Sequence, residues 1–220
     1  MIGRFELRSK ALQQTRLLLL RHAETSAPNR FHGAESDIGL GERGRKQAED
    51  VARVLAAEHA DLLYTSAMKR ATATASAIGE ACGLTPTIIP SLHERKMGPL
   101  SGVSREEGFE EFRVAKHRWM NGEPEYTHQG GESFQHVQSR VVPVIQDIVS
   151  KSPGKTLIVV AHGVVIRVFL TSVLEGRNAT DFDTFAIDNV ALNDLRWDGA
   201  IWTAAALNRR IGESHDDFAW

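Results

Sequence analysis

The stretch KTLIVVAHGVVIRVFLTSVL, residues 155–174, decides how this chain folds. Lys155 to Ala161 is an almost uninterrupted apolar run of strand length. Val164 to Leu174 reads as a helix that begins directly after His162-Gly163. A buried strand that turns straight into a helix is the repeating unit of an α/β protein with a parallel sheet.

Outward from this unit the same alternation recurs. Arg16 to Leu20 is a second apolar run with charge on both sides, as expected of a strand covered on both faces. Gly44 to His59 places Ala48, Val51, Ala52, Leu55 and Ala56 on one face of a helix, with Arg43, Lys46, Glu49 and Arg53 left to solvent. Leu62 to Thr65 is a short strand. Ser66 to Cys82 is an alanine-rich helix, with Gly83 where a C-cap belongs. Thr85 to Pro90 reads as extended. Arg105 to Met120 and Ser133 to Ser150 read as helices, with Ser133 as N-cap of the second. Phe185 to Ile187, Ala191 to Trp197 and Trp202 to Leu207 have the alternating character of late strands. Together these elements predict a three-layer α/β/α sandwich with a mainly parallel central sheet. It forms one domain over residues 1–220, with flexible ends at Met1 to Gln14 and Gly212 to Trp220.

Composition excludes several classes of function. Lys and Arg number 26 against 28 Asp and Glu, for a formal net charge of -2, so no global basic field recruits nucleic acid or an anionic membrane. An anion site must therefore be built locally. The single Cys82 rules out an internal disulfide framework and a multi-cysteine zinc site, and its plain reading is a free buried cysteine. Leu17 to Leu20, which follows Arg4, Arg8 and Lys10, is shorter than the roughly 7 to 15 residues of a secretory apolar core. No run approaches the roughly 18 apolar residues of a membrane span. A soluble, cytoplasmic protein is the expectation.

In open α/β sheets, ligands sit beyond the carboxyl ends of the strands. Those positions hold Arg21 and His22 after the first strand, Ser66 and Arg70 after the second, and His162 after the late one. Two arginines and two histidines suit a phosphate monoester. The guanidinium groups bind its oxygens, one neutral imidazole attacks phosphorus, and a second, cationic, holds the equatorial oxygens. An acid for the departing oxygen completes the requirement.

Arg21-His22-Ala23-Glu24-Thr25 resembles the signature of the histidine phosphatase superfamily, also called the phosphoglycerate mutase-like family. Three further segments are similar to that family's, in its order: Ser66 to Ala75 with Arg70, Leu92-His93-Glu94 with Gly98 and Gly102, and Val160 to Arg167 with His162. Gly130-Gly131-Glu132-Ser133 is similar to a recurring turn of the family, and the match runs from about Thr15 to Asn189. The resemblance implies a phosphoglycerate mutase-like fold and a phosphohistidine at His22. It further implies that Arg21, Arg70 and His162 bind the phosphoryl group and that Glu94 is the general acid, with no metal or other cofactor. The chain departs from the family at Ala23, where Gly is commoner, at Pro28, where an Asn is usual, and at Gly41, where Thr or Ser would cap a helix. Asn29, Arg30 and His32 are the candidates for a substrate loop.

Plainer readings stand beside these. Glu106, Glu107, Glu110 and Glu111 form a solvated helical face near Glu94. His32, His93, His117, His128 and His136 lack comparable context and belong on loops or the surface. Trp119, Trp197 and Trp202 are packing residues. Met97, Phe109, Phe112 and Trp119 are candidates to cover the pocket mouth, although helix packing accounts for them equally well.

Hydrolysis of a small phosphorylated metabolite is the leading function. Mutase chemistry is the alternative, opposed by the modest length of the Gly102 to Gly130 segment and by Met97 where mutases often carry an aromatic residue. A non-catalytic binding protein is a further alternative, opposed by the presence of every implied catalytic group. The final strand, with Phe218 and Trp220, is a candidate homodimer surface.

Overall fold

The computed structural model describes residues 13–211. The expected flexible ends, apart from Gln13 and Gln14, lie outside the described residues, as do Phe218 and Trp220. Six strands form one sheet in the order β3-β2-β4-β1-β5-β6. They are β1 (Thr15–Arg21), β2 (Leu62–Thr65), β3 (Thr87–Ile88), β4 (Thr156–Ala161), β5 (Leu192–Trp197) and β6 (Trp202–Arg209). β1, β2, β3 and β4 run parallel, while β5 and β6 add antiparallel to one side.

Alternation along the strands sorts side chains into two cores. Leu18, Leu20, Ile158, Val160 and Leu63 face α1 (Glu42–Ala56) and α2 (Lys69–Cys82), meeting Val51, Leu55, Ala75 and Ile78. Leu17, Leu19, Leu157 and Val159 face the other way. They meet α4 (Phe134–Ser150) and α5 (Gly163–Val173), with Trp119 of α3 (Arg105–Met120) in the same cluster. Strands with apolar side chains on both faces need a helical layer on each, which accounts for the continuous hydrophobic runs.

Most predicted elements stand within a few residues of their expected bounds. Ser133 caps α4, its side chain accepting from His136 N–H while the His136 ring accepts from Ser133 N–H. Gly83 ends α2 at φ 68, and Gly41 opens α1 without a side-chain cap. Three expectations need correction. The extended segment at Thr85 to Pro90 contributes only the two-residue β3. Phe185 to Ile187 is no strand: arginine side chains occupy its acceptors, Arg167 Nε reaching Phe185 O at 2.9 Å and Arg21 Nη1 reaching Ile187 O at 3.0 Å. Cys82 is half-buried rather than buried.

One close approach ties a helix to the site. A Cβ on Gly44 would stand 1.9 Å from Glu24 O, so α1 lies directly on the loop that follows His22 only because that position has no side chain.

Candidate active site

Sheet register brings the strand ends together. Arg21 pairs with Ala161 and Thr65 with Val160, so the next residues, His22, Ser66 and His162, emerge side by side at the carboxyl ends of β1, β2 and β4. His22 N–H donates to Ala161 O at 3.0 Å, and the two histidine rings lie 5.1 Å apart between centroids.

His22 is held from both sides. Its Nδ1 lies 2.7 Å from Ala23 O. A carbonyl only accepts, so Nδ1 carries the proton and Nε2 keeps its lone pair. Arg70 Nε, 3.2 Å from Nε2, donates to that lone pair. Burial, with Arg70 and Arg21 adding to it, lowers the His22 pKa well below the ordinary imidazole value, so the ring is neutral at physiological pH. Arg70 itself is fully buried, and burial brings it down to about 10. Its remaining nitrogens are anchored by backbone carbonyls, Nη1 on Ser36 O at 2.8 Å and Nη2 on His32 O at 3.1 Å.

His162 corrects one expectation. Burial, then Arg70, His22 and Arg21, lower its pKa well below the usual value. In the resting site burial holds the ring neutral rather than cationic. Glu94 stands on the pocket wall, its Oε1 accepting from Arg95 N–H at 2.8 Å and its Oε2 from Val164 N–H at 3.3 Å, in the first turn of α5.

A cavity of about 160 Å³ opens above His22. Arg21, His22, Glu94 and Arg30 line it, as expected of them, whereas Arg70 and His162 lie fully buried beneath. Asn29 is not on the wall: it is exposed, and its carbonyl accepts from Arg105 N–H at 2.8 Å. His32 does line the cavity, fixed between Ser36 Oγ and Ala27 O at 2.8 Å each. Of the residues expected at the mouth, Met97 and Phe112 are on the wall, Phe109 points to solvent, and Trp119 is core, with the Arg95 guanidinium 4.7 Å from its ring.

Sequence reasoning missed several lining residues. Arg43, Arg105 and Arg167 join Arg21 and Arg30 to give five arginines against Glu24 and Glu94, the local cationic field that a chain of net charge -2 requires for an anion. Arg43 also reaches Glu24 at 3.2 Å. Arg167 carried a signal, since it interrupts an otherwise apolar helix five residues after His162. Asn189 donates from Nδ2 to His22 O at 2.7 Å, and the next residue, Val190, donates to Arg21 O at 3.1 Å. Val190 sits at φ 52, a conformation costly for a β-branched residue, next to Asn189, which holds the His22 carbonyl.

Comparison with known proteins gives the family. A phosphoserine phosphatase of Hydrogenobacter thermophilus is 34% identical over 80% of this chain and 83% of its own. A metal-independent phosphoserine phosphatase of Arabidopsis thaliana is 33% identical over 90% and 85% respectively. Among solved structures, a mycobacterial glucosyl-3-phosphoglycerate phosphatase superposes with a TM-score of 0.79 at 25% identity, over 90% of this chain and all of its own. A family model for the histidine phosphatase superfamily, branch 1, matches residues 17–210. The chain belongs to the histidine phosphatase superfamily, branch 1, and is a phosphatase.

Proposed function

We propose that the chain hydrolyses small phosphorylated carboxylic acids through a phosphohistidine on His22 Nε2, in the cytoplasm. The observation that carries this reading is the clamped His22 ring, with its proton committed to Ala23 O and its unprotonated Nε2 lone pair accepting from Arg70 Nε. In the first step the Nε2 lone pair attacks phosphorus and the ester P–O bond breaks. The departing oxygen takes the proton of the Glu94 carboxylic acid. Arg21, Arg70 and His162 hold the phosphoryl oxygens as negative charge develops. In the second step water attacks phosphorus, Glu94 accepts its proton, and the N–P bond breaks with the electron pair returning to Nε2.

The substrate class rests on the wall of the cavity and on the relatives. Arg30 and Arg105 stand on the outer wall, held by Gly102 O and Pro28 O. Their charge suits a second anionic group on the substrate. Phosphoserine and glucosyl-3-phosphoglycerate, which name the substrates of similar proteins, each carry a carboxylate on the three-carbon unit that bears the phosphate. A charged hydrogen bond contributes about 1.5–3 kcal/mol. Its loss predicts a kcat/KM for phosphoserine about 10- to 100-fold above that for phosphoethanolamine, which lacks the carboxylate. Equal values would contradict the substrate class. With 3-phosphoglycerate and a bisphosphoglycerate primer, phosphate release should outpace isomerisation; the reverse would make the chain a mutase.

A further inference from the structure

Ser66 follows β2 directly and is fully buried beside His162, which is also fully buried. Its Oγ stands 2.8 Å from His162 Nε2 and accepts from Met68 N–H at 3.3 Å. The other ring nitrogen, Nδ1, is buried and has no hydrogen-bond partner among the described residues. A neutral imidazole has one N–H, and the bond made at one nitrogen decides which of the two carries it.

Two arrangements fit the 2.8 Å contact. If Nε2–H donates to Ser66, the hydroxyl proton has no acceptor among the described residues, and Nδ1 is left as a buried lone pair facing nothing. If the hydroxyl donates to Nε2, Ser66 is satisfied by giving one bond and receiving one from Met68. The proton of His162 then sits on Nδ1, the nitrogen with no protein partner. Nδ1 lacks a partner among the described residues in both arrangements, and only the first also strands the Ser66 hydroxyl proton; a buried polar group left unpaired costs about 1–3 kcal/mol, so the second arrangement is the stable one. Only that arrangement lets a neutral His162 donate to an anion bound at His22.

We propose that Ser66 is a positioning residue that holds His162 as its Nδ1–H tautomer, keeping that proton for the phosphoryl oxygens bound at His22. The catalytic half of this statement rests on the phosphohistidine reading above, whereas the tautomer is a property of the resting protein. A supporting residue that sets a ring's tautomer typically carries at least a tenfold effect on rate.

Nitrogen-15 NMR of the histidine rings, together with steady-state kinetics, tests the proposal in the wild type, Ser66→Ala and Ser66→Thr. The wild type should show His162 protonated on Nδ1. Ser66→Ala should lose that single tautomer and drop at least about tenfold in kcat, and Ser66→Thr, which keeps the hydroxyl, should restore both. An Nε2–H tautomer in the wild type overturns the proposal without need of any variant, so a Ser66→Ala protein that fails to fold does not protect it. Retention of the Nδ1–H tautomer in Ser66→Ala also overturns it. Failure of the phosphohistidine reading would be distinct, because the ring spectrum of the resting protein would stay as described while His22 took no phosphate.

Discussion

Arg70 makes several bonds with one side chain, and its planar fork is what allows it. Nε meets His22 Nε2 while Nη1 and Nη2 are tied to carbonyls of the loop holding Ser36, His32 and Gly33. A lysine would keep the charge but could not bridge these partners. Arg70→Lys should therefore lower kcat/KM for a generic aryl phosphate by about 10²–10³, the range for loss of one donor to a transition-state anion. Kinetics within about threefold of the wild type would show that charge alone suffices there. At this scale the sequence disclosed Arg21, His22, Arg70 and His162, because each stands at or directly after a strand end or in the first turn that follows one, whereas Glu94, beyond β3 and a further turn, was marked only by the family resemblance. It did not disclose how the supporting groups reach them: Ser66 stood out by position alone, and the hydrogen bonds of Asn189 and Ser66 to His22 and His162 span 167 and 96 residues. Of the loop candidates Asn29, Arg30 and His32, Asn29 alone is off the cavity wall, because loop backbone geometry, not spacing, decides which side chain turns inward.

Elements were more legible than loops. The runs behind β1 and β4 had to be strands covered on both sides, and the amphipathic face of α1 had to meet one of them; both hold. One failure has its physical origin in arginines that compete with regular pairing. Phe185 to Ile187 has strand-like composition, but its carbonyls accept from Arg167 and Arg21, so it lies against the site as irregular chain. Trp119, read as a packing residue and alternatively as cover for the pocket, is fully buried against Phe134 and Phe182 with Arg95 stacked on it. Alternation of apolar residues carries no trace of such side-chain competition.

At the scale of the whole molecule, a slightly acidic protein encloses a cationic site, and the cost of that arrangement appears as pH dependence. Burial lowers His22 and His162 well below the ordinary histidine value of about 6.5 that each recovers on unfolding. Below about pH 6.5 the unfolded chain therefore binds protons that the folded protein refuses. Stability is full above that pH and is lost as pH falls toward the folded-state values, by up to about 1.4 kcal/mol per pH unit for each ring. Denaturant unfolding at pH 7.5 and 5.5 should show this loss, and His162→Asn should show a smaller one. An identical pH slope in the variant would mean that His162 is not buried neutral.

The central claim is that His22 carries the phosphoryl group. Quenching the enzyme in alkali during turnover, where phosphohistidine survives, and locating the phosphate by mass spectrometry tests it most directly. The account predicts phosphate on His22, accumulating further in Glu94→Gln because the second step lacks its base. Turnover that continues with no phosphate on His22, or that persists undiminished in His22→Ala, would contradict it.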